Sequence, residues 1–583
     1  MVPLFKKGDR NNKDNYRGIC LLSMGSRVLA RVIARRLRWW SEHCSLVDEN
    51  QCGFRPGRST ADATQVLVRI QEDVTDLRRR QARERERGND DGNDENDVNN
   101  NEVYPVARLL DLRKAYPRVN KPMLWRILDR YGLSGAFKET ITALHETTAY
   151  KVKGKGKDSN EWYPERGLRE GCPTSPTLFN IYHQAVMRQA EVSRERLAAD
   201  NNRTAGVEWR WVPGNCFPGQ GLWEKYNSEA KTVRITSSLF LDDTTIIGMK
   251  NELEDGVREI KRVMNKFEEK NNEDKEETLA FGTPDSEEIR MLGSWMGPEA
   301  DIRNRIRRAG GIWGRVKRQL KGTRLSKKMQ ARIFESCVEG ALLFDCQTRT
   351  WYKKDWKKLQ SWVDKCYRYI WSNKTCPPLI QMQREHVNMQ DVRNSLEITS
   401  IQCKIERRTL ERIGHVMRMP NSRLTKVAAL GWLKELEAWD KCPGRKRKTV
   451  LYWKWTLKQA GVDWCDIERL TADREDWRKR IRERCDHIKM WEKQRAHAMD
   501  DIPEQERVQR SQPCEDEDPW RCKWPGGNKV CKSKGGLSIH RKRIQGATRD
   551  EEDLSAQSVG CASKQKTPWS TTSKAAEEQE RRA

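Results

Sequence analysis

Two carboxylates stand side by side in SSLFLDDTTIIGMK (residues 237–250): Asp242 and Asp243, between two runs of β-branched and apolar residues. The pattern reads as a hairpin with the acids at its tip. Adjacent acids repel each other and resist ionising together, which leaves two explanations for the pair. Asp favours solvated turns, where its side chain bonds to nearby backbone. Alternatively, the acids hold divalent cations. Mg²⁺ takes oxygen ligands, typically one or two carboxylates plus substrate phosphates. Two such ions about 4 Å apart activate a 3′-hydroxyl and stabilise a pyrophosphate leaving group. A third acid, Asp111, closes VYPVARLLD, which reads as a strand. Side chains alternate along a strand, but a tight turn relaxes this, so at least one of the paired acids can join Asp111.

The elements around these acids belong to a basic, polar chain. It has 583 residues, with 112 Lys and Arg against 85 Asp and Glu, a net charge of +27. The excess is spread along RVLARVIARRLRWW, RNRIRRAGGIWGRVKRQ, GRKRK and HRKR. Such a field suits a polyanion, because each neutralised phosphate releases counterions. The 23 Trp residues add stacking and cation–π capacity to that nucleic-acid reading; the alternative is a merely soluble basic protein. No apolar run is long enough to span a bilayer, and the N-terminus lacks the apolar core of a signal peptide. The 17 cysteines are scattered without a framework and read as reduced thiols. These features predict a nuclear or cytoplasmic location without membrane partners.

Residues 26–40 place Val28, Leu29, Val32, Ile33 and Leu37 at helical spacing. A Gly/Pro-punctuated loop, DENQCGFRPGRST, leads to a predicted helix over 61–80, with Ala63, Val66, Leu67 and Ile70 on one side. Residues 83–101, rich in Gly, Asn and Asp, predict a disordered insertion. Leu253, Val257, Ile260, Met264 and Phe267 mark a helix over 251–270 behind Asn251 as N-cap. From 301 to 510 the pattern is mostly helical, with Ile302, Ile306, Ala309, Trp313, Val316 and Leu320 striping the first helix opposite basic residues. An ordinary amphipathic helix explains that stripe; the dense basic face also fits one tracking duplex phosphates. Irregular alternation of strands and helices predicts an α+β layered fold.

The order and content of these segments resemble the reverse transcriptase of a non-LTR (LINE-type) retrotransposon. VPLFKKGDRNNKDNYRGICLLS resembles the family's opening block, ENQCGFRPGRSTADA its next, and LLDLRKAYPRV its first catalytic motif. GLREGCPTSPTLFN resembles the template- and nucleotide-positioning motif, FLDD the second catalytic motif, and NNEDKEETLAFG and RMLGSWMG the two that follow. RIGHVMRMP (412–420) resembles a segment carried after the thumb. The resemblance covers about the first 297 residues and implies a right-hand polymerase of fingers, palm and thumb. It further implies Asp111, Asp242 and Asp243 as Mg²⁺ (or Mn²⁺) ligands and Lys275 as the acid for departing pyrophosphate. Tyr116 would be the aromatic that crowds the ribose 2′ position, or else a plain core aromatic. Lys6, Lys7 and Arg17 would lie near the incoming triphosphate, with Arg169 and Gly171 in the nucleotide-positioning motif. RNA template, DNA primer and dNTPs are the implied partners.

Three positions depart from the family pattern: Glu170 replaces a Gln, Leu241 a smaller residue, and Pro117 an acid. Because the sequence starts almost at the family's opening block, a truncated or partial product without the family's upstream endonuclease is expected. Near the end, CKWPGGNKVCKSKGGLSIHRKRIQ has the outline of a C₂H₂ zinc finger. Gly527 and Gln545 stand where two of its four ligands belong, so zinc is expected to contribute little. The expected organisation is fingers and palm over 1–300, a thumb-like helical region over 301–430 and a basic helical connection over 431–513. The degenerate finger-like segment (514–546) and a disordered tail (547–583) follow. The expected activity is RNA-directed DNA synthesis. An inactive nucleic-acid-binding relic and an intron-maturase-like polymerase are the rivals.

Overall fold

In the computed structural model the strand predicted to end at Asp111 is β3 (Pro105–Asp111), one of the two inner members of a four-stranded antiparallel sheet. Its neighbours are β7 (Asp243–Met249) on one side and β8 (Glu277–Ala280) on the other. The strand β6 (Ser237–Phe240) pairs with β7 as a hairpin. Both faces of this sheet are covered, which explains the near-continuous apolar runs in β3 and β7. Val106, Leu110 and Ile246 pack toward a helical layer that contributes Leu178, Tyr182, Val257 and Ile260. Ala107, Ile247 and Leu279 pack the other way, against Val66, Leu67, Ile70 and Val74. The period-two alternation thus assigns successive residues to two cores rather than to core and solvent.

The structure describes residues 1–85, 104–154, 156, 158–213, 229–284, 288–320, 322–372, 377–439 and 448–500. Preceding β3 are the hairpin β1 (Val2–Phe5) and β2 (Tyr16–Ile19), then helices α1 (Met24–His43) and α2 (Thr60–Arg85). After β3 come the single turn α3 (Ala115–Arg118), α4 (Lys121–Arg130), α5 (Gly135–Glu146) and α6 (Ser175–Asp200). Strands β4 (Val207–Trp211) and β5 (Lys231–Ile235) precede β6, and α7 (Lys250–Lys266) follows β7. The short hairpin β9 (Arg290–Met291) and β10 (Ser294–Trp295) leads into α8 (Pro298–Leu320).

Several sequence expectations are corrected here. The helix α2 runs to Arg85, so residues 83–85 of the expected insertion are helical; 86–103 lie outside the described residues. The helix α7 begins at Lys250 with Met249 at its N-cap, and Asn251 sits inside its first turn. On α1 the buried face is Ala30, Ile33, Ala34, Leu37 and Ser41, while Val28, Leu29 and Val32 are exposed. The helix carries two apolar stripes, and the one with small residues packs inward. The region after 301 is helical as predicted, except that Trp432–Leu433 forms β11 and pairs antiparallel with β4. In α8 the predicted stripe is buried at Ile302, Ala309, Val316 and Leu320, with Trp313 edge-on to Phe334 at 5.1 Å. Met1–Cys485 is one compact unit, and the boundaries expected at 300 and 430 fall inside it. In the second unit, Asp486–Ala583, residues beyond 500 are not described, so the finger-like segment and tail lie outside the described residues. No helix among the described residues is long and apolar enough to cross a membrane.

Buried ion pairs tie the layers together. The guanidinium of Arg194 (α6) meets Glu252 (α7) through Nε at 2.6 Å and Nη2 at 2.7 Å, and Nη2 also donates to the Ile247 carbonyl. A side chain at Gly256 would put its Cβ 2.6 Å from Arg194 Nε, so any larger residue there would have to displace the ion pair. Arg412, in the RIGHVMRMP segment, reaches α2: Nη1 donates to Asp62 Oδ1 at 2.8 Å and Nε to Gln65 Oε1 at 2.7 Å. Asp62 is fully buried. Removing one partner of such a pair strands a charge, whereas neutralising both does not. Arg412→Met is therefore expected to destabilise the fold by about 3–5 kcal/mol. Adding Asp62→Asn, which keeps an acceptor for the Ser59 backbone N–H, should recover most of that loss in urea melts. Equal destabilisation of single and double variants would refute the coupling.

Candidate active site

The register of β3 on β7 sets Asp111 directly opposite Asp243. Asp242 precedes it in the β6–β7 turn, after Leu241, whose φ of +63° lies in the left-handed region. That conformation is uncommon for a bulky residue. The turn is bound from outside by the loop of the ENQCGF block. Leu239 N–H donates to the Asn50 carbonyl and Cys52 N–H to the Leu239 carbonyl, both at 2.8 Å. Gln51 Oε1 accepts from Leu241 N–H at 2.8 Å. Behind the acids, His183 (α6) contacts Thr244 Oγ1 at 3.1 Å and the Glu269 carboxylate at 2.9 Å.

The other sequence-predicted residues border this edge unequally. Lys275 Nζ donates to Asp111 Oδ2 at 2.7 Å, and Asn272 N–H holds the Asp111 carbonyl at 2.8 Å. Tyr116 lies on α3 with its ring stacked on Phe179 at 5.1 Å. Leu168 N–H donates to its carbonyl at 2.8 Å. Burial raises the Tyr116 hydroxyl well above the ordinary phenol range, and the charges of Asp242 and Glu170 raise it further against Arg17. Tyr116, Asp242, Glu170 and Arg17 therefore share one electrostatic neighbourhood. Arg17 Nε pairs with Glu170 Oε2 at 3.2 Å. Lys6 and Lys7 are exposed at the β1–β2 connection, and Lys6 also opposes the rise that burial imposes on Glu170. At Gly171, φ is +105°, and a Cβ would come 2.8 Å from the Cys20 carbonyl oxygen. Its role is the close approach of two backbones. Arg169 is turned inward, buried, with Nη1 3.3 Å from Thr148 Oγ1, and does not face the acids.

Residues 5–296 match the family described as reverse transcriptase (RNA-dependent DNA polymerase), half of the chain. The chain belongs to this family. Among curated proteins it is 28% identical over 176 residues to a Pol polyprotein from the R2 retrotransposable element of Popillia japonica. That stretch is 30% of this chain and 21% of the relative. It is 30% identical over 79 residues to the R2DM Pol polyprotein of Drosophila melanogaster, 14% of this chain and 8% of that one. The matched stretches thus span about a fifth or less of these relatives. These likenesses agree with the non-LTR resemblance read from the motif order. Among solved structures, telomerase from Candida albicans in complex with a fragment of telomeric RNA overlaps 70% of this chain and 59% of its own. The identity there is 10% and the TM-score 0.30, an overlap too loose to define the fold.

Reverse transcriptases generally use divalent metal ions, and the donor chemistry of this edge fits such ions. Loss of water, then the charges of Asp242 and Asp111, push the Asp243 carboxyl up to about 6, with Lys275 opposing. Among the described residues no three His, Cys, Asp or Glu side chains form a ready-made metal cage. An open site of this kind needs further oxygen ligands from water and substrate phosphates, as Mg²⁺ sites usually do. The Lys275 ammonium already sits where positive charge is favoured, on Asp111.

Gln51, which binds the acid turn, is not singled out by the sequence, although its block is. Side-chain amides that bond to backbone leave no trace in composition or periodicity.

Because the folded Asp243 pKa lies above its unfolded value near 3.9, the folded protein binds the extra proton between these values. The metal-free protein should therefore lose stability as pH rises from about 4 to about 6. Asp243→Asn should remove that component of the slope, read as the difference between the two melting profiles. Parallel profiles for parent and variant would show that the acids do not repel.

Proposed function

We propose that the chain is an RNA-directed DNA polymerase of a non-LTR retrotransposon, extending a DNA 3′-hydroxyl along an RNA template with dNTPs. The observation that carries this is the pairing of Asp111 with Asp243 beside the Asp242 turn, within a chain of the reverse transcriptase family. In this reading the four-stranded sheet is the palm, β1–β2 and α1–α2 belong to the fingers, and α8 opens the thumb. Asp111, Asp242 and Asp243 would hold Mg²⁺. When bound, Mg²⁺ supplies the positive charge that offsets the carboxylates, the attacking hydroxyl and the pyrophosphate. Tyr116, fixed by its stack on Phe179, would exclude a 2′-hydroxyl by crowding. Lys275 carries its proton at the edge of the site, one hydrogen bond from Asp111, where a leaving pyrophosphate would need an acid. Arg17 would meet the triphosphate, in competition with Glu170. Basic faces such as that of α8 would follow template–primer phosphates, a contact that weakens steeply with salt.

Asp242→Asn is expected to abolish dNTP incorporation on a poly(rA) template while leaving RNA affinity nearly unchanged. Incorporation at the parent rate would sink the assignment, and a parent that binds RNA without incorporating would favour the relic. In folded protein, Tyr116→Ala should raise rNTP use relative to dNTP. An unaltered preference would return Tyr116 to a core role. Removing the charge that holds Arg17, as in Glu170→Gln, should lower the dNTP KM by about two- to fivefold, the range of a half-exposed ion pair. A KM that rises instead would mean Glu170 supports the nucleotide directly.

A further inference from the structure

We infer that Gln51 is a positioning residue for the paired acids: its side-chain amide fixes the backbone of the turn that presents Asp242. The role rests on the polymerase reading above. Gln51 is 1% exposed, and its carboxamide is spent on backbone. Oε1 accepts from Leu241 N–H and from Gly53 N–H, each at 2.8 Å, and Nε2 faces the Leu241 carbonyl at 3.4 Å. One amide thus grips both ends of the residue immediately before Asp242. Leu241 needs such a grip, because its φ of +63° is unfavourable for a branched side chain. Relaxation toward the ordinary region would swing the Asp242 carboxylate away from Asp111 and Asp243.

The grip is itself held on two sides. Residues 50–52 lie along the outer edge of β6, where Gln51 pairs with Leu239 as a parallel bridge. A Cβ at Gly53 would come 2.5 Å from Leu241 N, so only glycine lets the loop approach. Asn180 Nδ2 then donates to the Gly53 carbonyl at 2.7 Å. Asn180 follows Phe179, the residue on which Tyr116 stacks. One turn of α6 therefore sets both the acid turn, through Gly53 and Gln51, and the candidate sugar-facing aromatic.

The test has one arm that needs no activity. In the parent chain the Leu241 and Gly53 amides should be strongly protected from hydrogen exchange; rapid exchange there would overturn the inference outright. Gln51→Met keeps the shape and removes the amide. It should unprotect Leu241 and lower kcat on the order of a hundredfold, as misplacing a reacting group does. The dNTP KM and RNA affinity should stay close to the parent values. Gln51→Glu retains an oxygen acceptor for both N–H groups and should fall between, and it serves if Gln51→Met does not fold. Leu241→Gly, tolerant of positive φ, should restore part of the rate in either Gln51 background. A merely structural defect would worsen when a buried leucine is deleted. Parent-like kcat in a folded Gln51 variant, or no rescue by glycine, would refute the role. A parent that is protected yet inactive would instead remove the polymerase reading and leave the grip standing.

Discussion

The site depends on holding like charges together. The register of β3 on β7 puts Asp111 across from Asp243, and the turn adds Asp242 beside them. Lys275 pairs with Asp111 and only partly offsets the burial and like charges that raise the Asp243 carboxyl to about 6. Repulsion of this sort would open a flexible loop. It is resisted because the acids sit at the end of a sheet packed on both faces, so any relaxation must disturb two cores at once. In the polymerase reading a divalent cation would offset this repulsion, because its attraction to each carboxylate outweighs the carboxylate pairs.

A long-range frame follows from that need for rigidity. The carboxylates of Glu252 and Asp62 are buried with arginines from distant segments, Arg194 and Arg412. Such pairs add little net stability over apolar packing, but breaking one by moving a partner away leaves a buried charge unpaired. Arg194 also binds the Ile247 carbonyl of β7 itself, so α6 and α7 are locked to the strand that carries Asp243. Arg412 fastens α2, which covers the opposite face of the sheet. The RIGHVMRMP segment thus acts on the site at one remove, by fixing the helix beneath it.

Much of this was legible in the sequence because it is written in periodicity and motif order. The strand ending at Asp111, the acid hairpin and the amphipathic α7 all follow from side-chain alternation. What was not legible depends on which of two similar surfaces turns inward. On α1, Val28 and Val32 satisfy the spacing as well as Ile33 and Leu37, and only packing decides between them. The inward turn of Arg169 and the grip of Gln51 on Leu241 are likewise tertiary. Arg169 turns to the Thr148 hydroxyl, and Gln51 to backbone 190 residues along the chain. The strand Trp432–Leu433 is too short for any pattern to show, and it exists because β4 offers an open edge.

Each of the three departures from the family pattern meets a partner in the fold. Leu241, larger than the usual residue, is nearly buried in the core and held by Gln51 at both of its peptide groups. Pro117 lies against Gly167, where any side chain would bring its Cβ 2.7 Å from the Pro117 carbonyl oxygen; φ there is +87°. Glu170, negative where the family is neutral, is matched by Arg17 from β2. Random loss would leave such positions stranded, as an unpaired buried carboxylate or a clash at the turn. Here every substituted residue is accommodated by a neighbour from a different block of the sequence, and the acids keep their register.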